Sequence, residues 1–154
     1  SAFVAGRGET VRPVVVEGER WVVLVNPGFG VNTKWAYQEL AATRTAVTPL
    51  SPVQRELDRQ SMMSWAHLVA AAENDFEAPV FAAHGKLREI KRSLQAHGAE
   101  IALLSGSGAT VFGLFADEAR ARLAETQFVN EKSMKVFVVP TCTGPLCWRE
   151  KPPG

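Results

Sequence analysis

The segment of this sequence best suited to chemistry is a run of six small residues, Ser105 to Thr110, which reads SGSGAT. Small residues leave backbone N–H groups uncovered, so an anionic group can approach the main chain closely, as in an anion-binding nest. An apolar stretch typical of a strand, Val111 to Phe115, follows directly. The pattern therefore indicates a loop that binds a phosphate group and leads into a strand.

Two common phosphate-binding motifs do not explain this run. A dinucleotide fingerprint needs G-x-G-x-x-G between a strand and a helix, but Val111 occupies the third glycine position and a strand follows. A Walker loop needs Gly-Lys-Ser/Thr at the start of a helix, and the run contains no lysine. A plain hairpin turn, in which Gly106 and Gly108 supply positive φ, stays open as an alternative. Against it, six small residues are more than a two-residue turn requires.

A second candidate is the stretch ENDFEAPVF, whose carboxylates Asp75 and Glu77 could bind a metal ion or act as a general base. Both residues lie beside a predicted helix start. A helix cap provided by Asn74 or Asp75 explains them more simply, and we favour that interpretation.

The other ionisable residues do not form a recognisable site. The three histidines fall in separate helical segments without ligand spacing, so we predict no metal site. They are His67, His84 and His97. One helix has a basic face, which is typical of a solvated surface, although it could also attract a phosphate. Its residues are Lys86, Arg88, Lys91 and Arg92.

Periodicity and capping signals predict the elements that position these residues. A β-branched strand spans Arg20 to Asn26 and ends at a Pro-Gly turn. Leu87, Ile90 and Leu94 share one helical face, and Gly98 ends that helix. The other predicted elements are two short strands within 2–16, helices that begin after Asn32 and Ser51, a helix from Ser61 to Ala72 with Met62, Met63 and Trp65 on its apolar face, strands at 100–106 and 109–115, a helix with Asp117 and Glu118 in its first turn, and a strand at 134–140.

The order of these elements predicts an α+β fold. From Arg20 it runs strand, helices, strand, strand, helix, strand, which matches a ferredoxin-like sandwich with a four-stranded antiparallel sheet and extra helices in the first crossover. We expect residues 1–19 to form short strands that precede this domain, which spans 20–140. The Pro/Gly-rich segment 141–154 is predicted to be a flexible tail.

Composition narrows the class of protein. The chain has 154 residues, 46% of them hydrophobic, and 17 basic against 16 acidic residues give a net charge of +1. Without a basic run or a long apolar run, we expect neither a nucleic-acid partner nor a membrane partner. Only Cys142 and Cys147 are present, too few for a disulfide framework, and no signal peptide is recognised, so we predict a cytoplasmic protein.

Four stretches together carry a resemblance to a known family. LLSGSGATVFGLF resembles the third conserved motif of the GHMP kinases, a glycine-rich loop in their C-terminal domain. AFVAGRGE, VVLVNPGFGVNTKWAY and ENDFEAPVF are similar, in order and spacing, to the C-terminal half of the 4-diphosphocytidyl-2-C-methyl-D-erythritol kinases. The resemblance extends from about Ala2 to Pro140.

The resemblance implies an activity and roles for residues. Such kinases phosphorylate the 2-hydroxyl of their substrate with ATP, together with Mg²⁺, in non-mevalonate isoprenoid synthesis. Carried over to this chain, the loop residues would contact the ATP phosphates. These residues are Gly106, Ser107, Gly108, Ala109 and Thr110. Tyr37 would stack on the cytosine ring of the substrate, and Thr33 would reach a substrate hydroxyl or stabilise its helix. Packing of Tyr37 against the sheet beside Trp35 is the structural alternative.

The resemblance also implies a partner. The family's N-terminal half carries the long ATP loop and the Asp proposed to activate the hydroxyl, and neither occurs in this sequence. We therefore expect no catalytic residue in this chain, a missing N-terminal kinase domain as its partner, and no activity from the chain alone. Two alternatives stay open: the equivalent half of another GHMP kinase, such as one acting on homoserine or a mevalonate derivative, and a stand-alone ferredoxin-like binding module. Exposed apolar surface where an N-terminal domain would dock is the observation that would separate the half-kinase from the module.

Overall fold

The computed structural model describes residues 1–44, 46, 49–57 and 59–142. Eight strands and six helices are found in that part of the chain. In order they are β1 (Ala2–Ala5), β2 (Thr10–Pro13), β3 (Val15–Val16), β4 (Trp21–Asn26), α1 (Thr33–Thr43), α2 (Pro52–Leu57), β5 (Met62–Met63), α3 (Trp65–Ala71), α4 (Glu77–Ala83), α5 (Gly85–Ala96), β6 (Ile101–Leu104), β7 (Val111–Phe115), α6 (Glu118–Glu125) and β8 (Lys135–Pro140).

The main sheet contains four strands in the order β6-β7-β4-β8, and every neighbouring pair is antiparallel. This order confirms the predicted ferredoxin-like α+β sandwich. In β4 the alternate side chains of Val23 and Val25 are fully buried, because successive residues of a strand point to opposite faces of the sheet. The β6–β7 hairpin places the glycine-rich run at one end of the sheet.

The helices pack on the sheet through apolar stripes. α5 contacts β6 and β7, and α6 contacts β4 and β8. The predicted face of α5 is confirmed, because Leu87, Ile90 and Leu94 are all buried in the core. Asp117 caps α6 by accepting a hydrogen bond of 2.9 Å from the Arg120 backbone N–H, so of the two acidic residues predicted in the first turn only Glu118 lies within it.

The predicted helix from Ser61 to Ala72 is wrong at its start. Met62 and Met63 form β5, which pairs in parallel with β3, and the Val15 N–H donates to the Ser61 carbonyl at 2.9 Å. The helix begins instead at Trp65, where the Ser64 side chain accepts from the His67 backbone N–H. Met62 is therefore an exposed strand residue, whereas Met63 is buried.

Residues 1–19 contact the rest of the fold through short strands. β1 and β2 form the expected antiparallel pair around Gly6 and Gly8. Trp65 Nε1 donates to the Gly18 carbonyl at 2.9 Å, which together with the β3–β5 pair joins this segment to the helical crossover.

In the described ranges no helix is both long enough and apolar enough to cross a membrane. Of the predicted flexible tail, only Thr141 and Cys142 fall inside the described residues, and the remainder, including Cys147, lies outside them. Thr141 exchanges two hydrogen bonds with the Arg20 backbone, at 2.7 and 2.9 Å.

Candidate functional site

The loop from Ser105 to Thr110 closes a hairpin between β6 and β7. The Ser105 N–H donates to the Thr110 carbonyl at 2.8 Å, and the Gly108 N–H donates to the Ser105 carbonyl at 3.0 Å. The loop is therefore a turn with a fixed backbone, as the hairpin interpretation requires. It is nevertheless longer than the turn alone needs, which leaves its tip available for another role.

Both loop glycines adopt conformations that other residues rarely do, with φ of +56° at Gly106 and +98° at Gly108. A Cβ built at Gly106 would meet no atom within 4 Å, so packing does not exclude a side chain there. A Cβ at Gly108 would lie 3.2 Å from the Leu104 side chain and 3.4 Å from that of Val31. Gly106 thus borders open space, while Gly108 contacts the protein.

Several loop N–H groups have no acceptor. Within the described part of the chain, the backbone N–H groups of Gly106, Ser107 and Ala109 donate no hydrogen bond. Ser105 and Gly106 are exposed and Ser107 is half-buried, so an anion could reach the tip of the loop, whereas the predicted site residue Ala109 is buried in the core. Unpaired amides without bulky side chains are the elements of an anion-binding nest.

The first turn of α1 contacts this loop. The hydroxyl oxygens of Thr33 and Ser107 lie 3.0 Å apart, within hydrogen-bonding distance. Asn32 caps the helix by accepting from the Trp35 N–H at 3.0 Å, as predicted. At the other side of the loop, Thr110 accepts a hydrogen bond of 3.2 Å from the Asn26 side-chain amide. The structure therefore joins Thr33 and the predicted loop residues in one place.

Tyr37 lies one helical turn after Thr33, on the same face of α1. Its side chain is 60% exposed, and its ring meets the Phe76 ring edge-on, with centroids 4.8 Å apart. Trp35 is half-buried and contacts His84 instead. Packing of Tyr37 against the sheet beside Trp35 is thus excluded, and the ring keeps a face open to solvent.

The cap predicted for Asn74 or Asp75 is wrong. α4 begins at Glu77 without a side-chain cap, and the Asn74 Oδ1 accepts from the Phe76 N–H at 3.0 Å within the preceding turn. The Asn74 Nδ2 donates to the carbonyls of Leu104 and Gly106, at 2.7 and 2.8 Å. Asn74 is the site residue that the sequence did not reveal, because its partners are 30 and 32 positions away and no spacing signal connects them.

The two carboxylates of this stretch have different partners. Asp75 pairs with Arg44, whereas Glu77 pairs with Lys91 at 2.5 Å and accepts from the Leu104 backbone N–H at 2.9 Å. Asp75 and Glu77 therefore do not act as a unit here, which gives no support to the general-base or metal-binding alternative that the sequence left open.

The three histidines and the basic residues of α5 contact their own neighbours and do not meet in one site in the described part of the chain. The three imidazoles contact different elements: His67 lies by Ser64, His84 contacts the rings of Phe29 and Trp35, and His97 lies by the Ser93 carbonyl. On the basic face of α5, Lys86 pairs with Glu131, Arg88 donates to the Phe81 carbonyl and Lys91 pairs with Glu77.

Comparisons with known proteins place the chain in a family. The family model "GHMP kinases C terminal" matches residues 53–132, which are 80 of the 154 residues. A 4-diphosphocytidyl-2-C-methyl-D-erythritol kinase from Syntrophus aciditrophicus (strain SB) is 36% identical over 138 residues, covering 90% of this chain and 47% of that protein. The chain spans about half the length of the curated relatives it matches.

Solved structures show the same fold. A 4-(cytidine 5'-diphospho)-2C-methyl-D-erythritol kinase superposes with a TM-score of 0.63 at 24% identity, covering 89% of this chain and 48% of that chain. A homoserine kinase from Cytophaga hutchinsonii ATCC 33406 superposes with a TM-score of 0.67 at 15% identity, covering 92% of this chain and 48% of that chain. At these identities the superpositions establish the fold, and the family model establishes the membership: the chain belongs to the GHMP kinase family.

Proposed function

We propose that this chain is the C-terminal half of an ATP-dependent kinase that phosphorylates the 2-hydroxyl of 4-diphosphocytidyl-2-C-methyl-D-erythritol. The observation that carries the proposal is the arrangement on α1, where Thr33 contacts the glycine-rich loop and Tyr37, one turn later, presents an exposed ring. The loop proposed to bind phosphate and the ring proposed to stack on a base are thus linked through the first two turns of α1. The relatives that bear this name at 33–38% identity support the same substrate.

The loop would act through its backbone. Phosphoryl transfer depends on positioning and on stabilising charge, so a loop without an ionisable side chain can contribute to it. The free N–H groups of Gly106 and Ser107, at the accessible tip of the loop, would donate to phosphate oxygens of ATP, while Ala109 packs in the core and would support the loop. Thr110 accepts from Asn26 and keeps its own hydroxyl hydrogen for a further acceptor. The role of the loop is to hold the phosphates while other groups do the chemistry.

Tyr37 would stack on the cytosine ring. The Phe76 ring meets it edge-on and restricts its position, which lowers the entropy lost when a base binds. Thr33 would orient the substrate between the base and the loop, through a hydroxyl that already contacts Ser107.

The catalytic Asp and the ligands of Mg²⁺ would come from an N-terminal domain. Among the described residues, the two carboxylates of the stretch that contacts the loop, Asp75 and Glu77, are paired with Arg44 and Lys91. We therefore assign neither a base nor a Mg²⁺ ligand to this chain. We use the term two-domain protein for this chain preceded by an N-terminal half of the kind found in its relatives.

Exposed apolar residues on the N-terminal strands favour such a partner over a stand-alone module. Val4 and Val11 are cross-strand neighbours in the β1–β2 pair, and both side chains are exposed. Val15 and Met62 are neighbours in the β3–β5 pair and are exposed as well. Exposed apolar pairs of this kind are more typical of a covered surface than of a free one.

A kinase for homoserine is the second candidate, because the homoserine kinase superposes as well as the cytidine-dependent enzyme does. Homoserine offers no base, so an exposed aromatic ring at Tyr37 would have no partner in it. A competition assay separates the two. We expect the two-domain protein to phosphorylate the cytidine-containing substrate with a kcat/KM far above that for homoserine or mevalonate. A preference for homoserine or mevalonate would overturn the proposed substrate.

A further inference from the structure

Asn74 makes contacts that are unusual for a residue in a connecting turn. It lies between α3 and α4, is half-buried, and directs its Nδ2 group at the carbonyls of Leu104 and Gly106, at 2.7 and 2.8 Å. Leu104 is the last residue of β6, and Gly106 is the tip residue of the loop that borders open space. The Asn74 side-chain amide therefore donates to the end of β6 and to the glycine-rich loop at the same time.

The geometry also fixes which way the Asn74 amide points. Both hydrogens of Nδ2 are used on carbonyl oxygens, and Oδ1 accepts from the Phe76 N–H at 3.0 Å. A flipped amide would place its oxygen against two carbonyls and its hydrogens against an N–H, which is repulsive at every contact. Asparagine thus satisfies three backbone groups that neither aspartate nor leucine could satisfy together.

Glu77 also hydrogen-bonds the end of β6. Its Oε1 accepts from the Leu104 N–H at 2.9 Å, and its other oxygen pairs with Lys91 at 2.5 Å. Because β6 is an edge strand, the outward N–H and C=O of Leu104 have no neighbouring strand to pair with. Asn74 donates to the Leu104 C=O and Glu77 accepts from the Leu104 N–H. The turn that contains these two residues therefore satisfies the hydrogen bonds that a further strand would otherwise make at this position.

The same turn contacts the other half of the site. Phe76, whose backbone N–H is held by Asn74, meets the Tyr37 ring edge-on. The segment from Asn74 to Glu77 therefore contacts both the glycine-rich loop and the aromatic ring proposed to stack on the substrate. We propose that Asn74 is a positioning residue that holds the tip of the phosphate loop in place for ATP; this inference rests on the function proposed above.

The variant Asn74→Asp isolates the proposed role. Aspartate keeps an oxygen that accepts from the Phe76 N–H, but it replaces both donors to the loop with an acceptor. Asp75→Asn is the matched control, since it changes the same group in the reverse direction at a neighbouring residue whose side chain pairs with Arg44. Should Asn74→Asp fail to fold, Asn74→Ala removes the donors without adding a charge.

The first readout is backbone amide hydrogen exchange in the isolated chain. We expect Asn74→Asp to speed exchange at Ser105 and Gly108, whose N–H groups close the turn, by about tenfold, because two hydrogen bonds that hold the loop are lost. Amide exchange in α5 should be the same in Asn74→Asp as in the unmodified chain. Asp75→Asn should change amide exchange neither in the loop nor in α5. Unchanged exchange at the loop in Asn74→Asp would overturn the inference.

The second readout is steady-state kinetics of the two-domain protein. We expect Asn74→Asp to lower kcat/KM for ATP by about tenfold to a hundredfold, since small misplacements of positioning groups have effects of that size. KM for the cytidine-containing substrate should change less than about twofold, because the turn that supports Phe76 is preserved. Loosened loop exchange with unchanged ATP kinetics would reduce Asn74 to a structural residue and overturn the positioning role.

The two proposals fail in different ways. If the unmodified two-domain protein transfers no phosphate to the cytidine-containing substrate, the proposed function is wrong. In that case the exchange experiment still decides whether Asn74 orders the loop. If the unmodified protein is active and Asn74→Asp behaves like Asp75→Asn in both readouts, only the role of Asn74 is wrong.

Discussion

Glycine is required at Gly106 and at Gly108 for different physical reasons. Gly108 lies against Leu104 and Val31, so a side chain there would disturb packing. Gly106 borders open space and needs only its positive φ. A substitution at Gly106 therefore tests the proposed phosphate contact with less interference from the core than one at Gly108, although both are predicted to impair turnover.

We predict that Gly106→Val lowers kcat/KM for ATP in the two-domain protein by at least about tenfold, because the new side chain would occupy the space that the phosphates approach. Gly98→Val is a suitable control: Gly98 also has positive φ, at +88°, a Cβ there would also meet nothing within 4 Å, and it lies away from the N-terminal strands. Both variants should lose similar stability through backbone strain, on the order of 1–2 kcal/mol. Equal ATP kinetics in the two variants would contradict the loop assignment.

We predict that Tyr37→Ala raises KM for the cytidine-containing substrate, while Tyr37→Phe stays near the unmodified value. Loss of a base–aromatic stack costs about 1–3 kcal/mol, which corresponds to roughly a 5- to 150-fold change in affinity. KM for ATP should change little, because the ring lies one turn away from Thr33. An unchanged substrate KM in Tyr37→Ala would remove the stacking role.

At the residue scale the sequence predicted the residues that we propose for phosphate and substrate binding, and it missed Asn74, which contacts the loop. The loop is recognisable because six small residues form a local pattern, whereas Tyr37 and Thr33 were identified only through the resemblance to the kinase family. Asn74 is also visible in the sequence, but there it looks like a helix cap. Its bonds to Leu104 and Gly106 depend on how β6 packs beside the turn, which no local pattern encodes.

Among the elements, α5 and β7 approach each other closely at Gly113. A Cβ at this position would lie 3.2 Å from Leu94 Cδ2, 3.3 Å from the Ala99 Cβ and 3.0 Å from the Phe115 ring. The absence of a side chain at Gly113 therefore lets the helix lie against the strand that leads out of the phosphate loop.

We predict that Gly113→Val lowers the free energy of unfolding of the isolated chain by about 1–3 kcal/mol, the usual effect of overpacking a core. Gly85→Ala is the control, because a Cβ there would meet nothing within 4 Å and the residue begins α5. That variant should be neutral or more stable by up to about 1 kcal/mol. Urea denaturation of the three proteins measures both changes, and equal midpoints for Gly113→Val and the unmodified chain would refute the close-packing argument.

Elements with strong local signals were predictable, and those that depend on a distant partner were not. The helix predicted to begin after Ser51 has a capping box there: the Ser51 hydroxyl accepts from the Gln54 N–H at 3.2 Å, and Gln54 Oε1 accepts from the Ser51 N–H at 2.9 Å. β5 consists of two residues and exists because β3 lies beside it. A helical period over Ser61–Ala72 could not reveal that pairing.

At the scale of the whole molecule, the N-terminal strands present the apolar surface expected for a domain interface. Val11 on β2 and Val129 after α6 have nearly equal exposure, 62% and 61%. Only Val11 belongs to a cross-strand apolar pair on the strands that would adjoin an N-terminal domain.

We predict that Val11→Ser and Val129→Ser leave the thermal stability of the isolated chain almost unchanged, since both side chains are already exposed. In the two-domain protein, Val11→Ser should lower the melting temperature and Val129→Ser should not, because a buried valine contributes about 1.5–3 kcal/mol relative to an exposed one. Equal melting temperatures for the two variants in the two-domain protein would indicate that this surface stays uncovered.

The overall topology was the most predictable level, because strand and helix order limits an α+β sandwich to few arrangements. The strand order of the sheet matches that expectation. Sequence order does not reveal how the turn that contains Asn74 and Glu77 contacts the edge strand β6. Those contacts hold the end of β6 beside the glycine-rich loop.

The most direct measurement is ATP-dependent phosphorylation of 4-diphosphocytidyl-2-C-methyl-D-erythritol by the isolated chain, after its mass has been verified, and by the two-domain protein under the same conditions. We expect no turnover by the isolated chain and clear turnover by the two-domain protein, because the loop would form only one wall of the phosphate site. Turnover by the homogeneous isolated chain would contradict the central claim that the catalytic groups lie in a second domain.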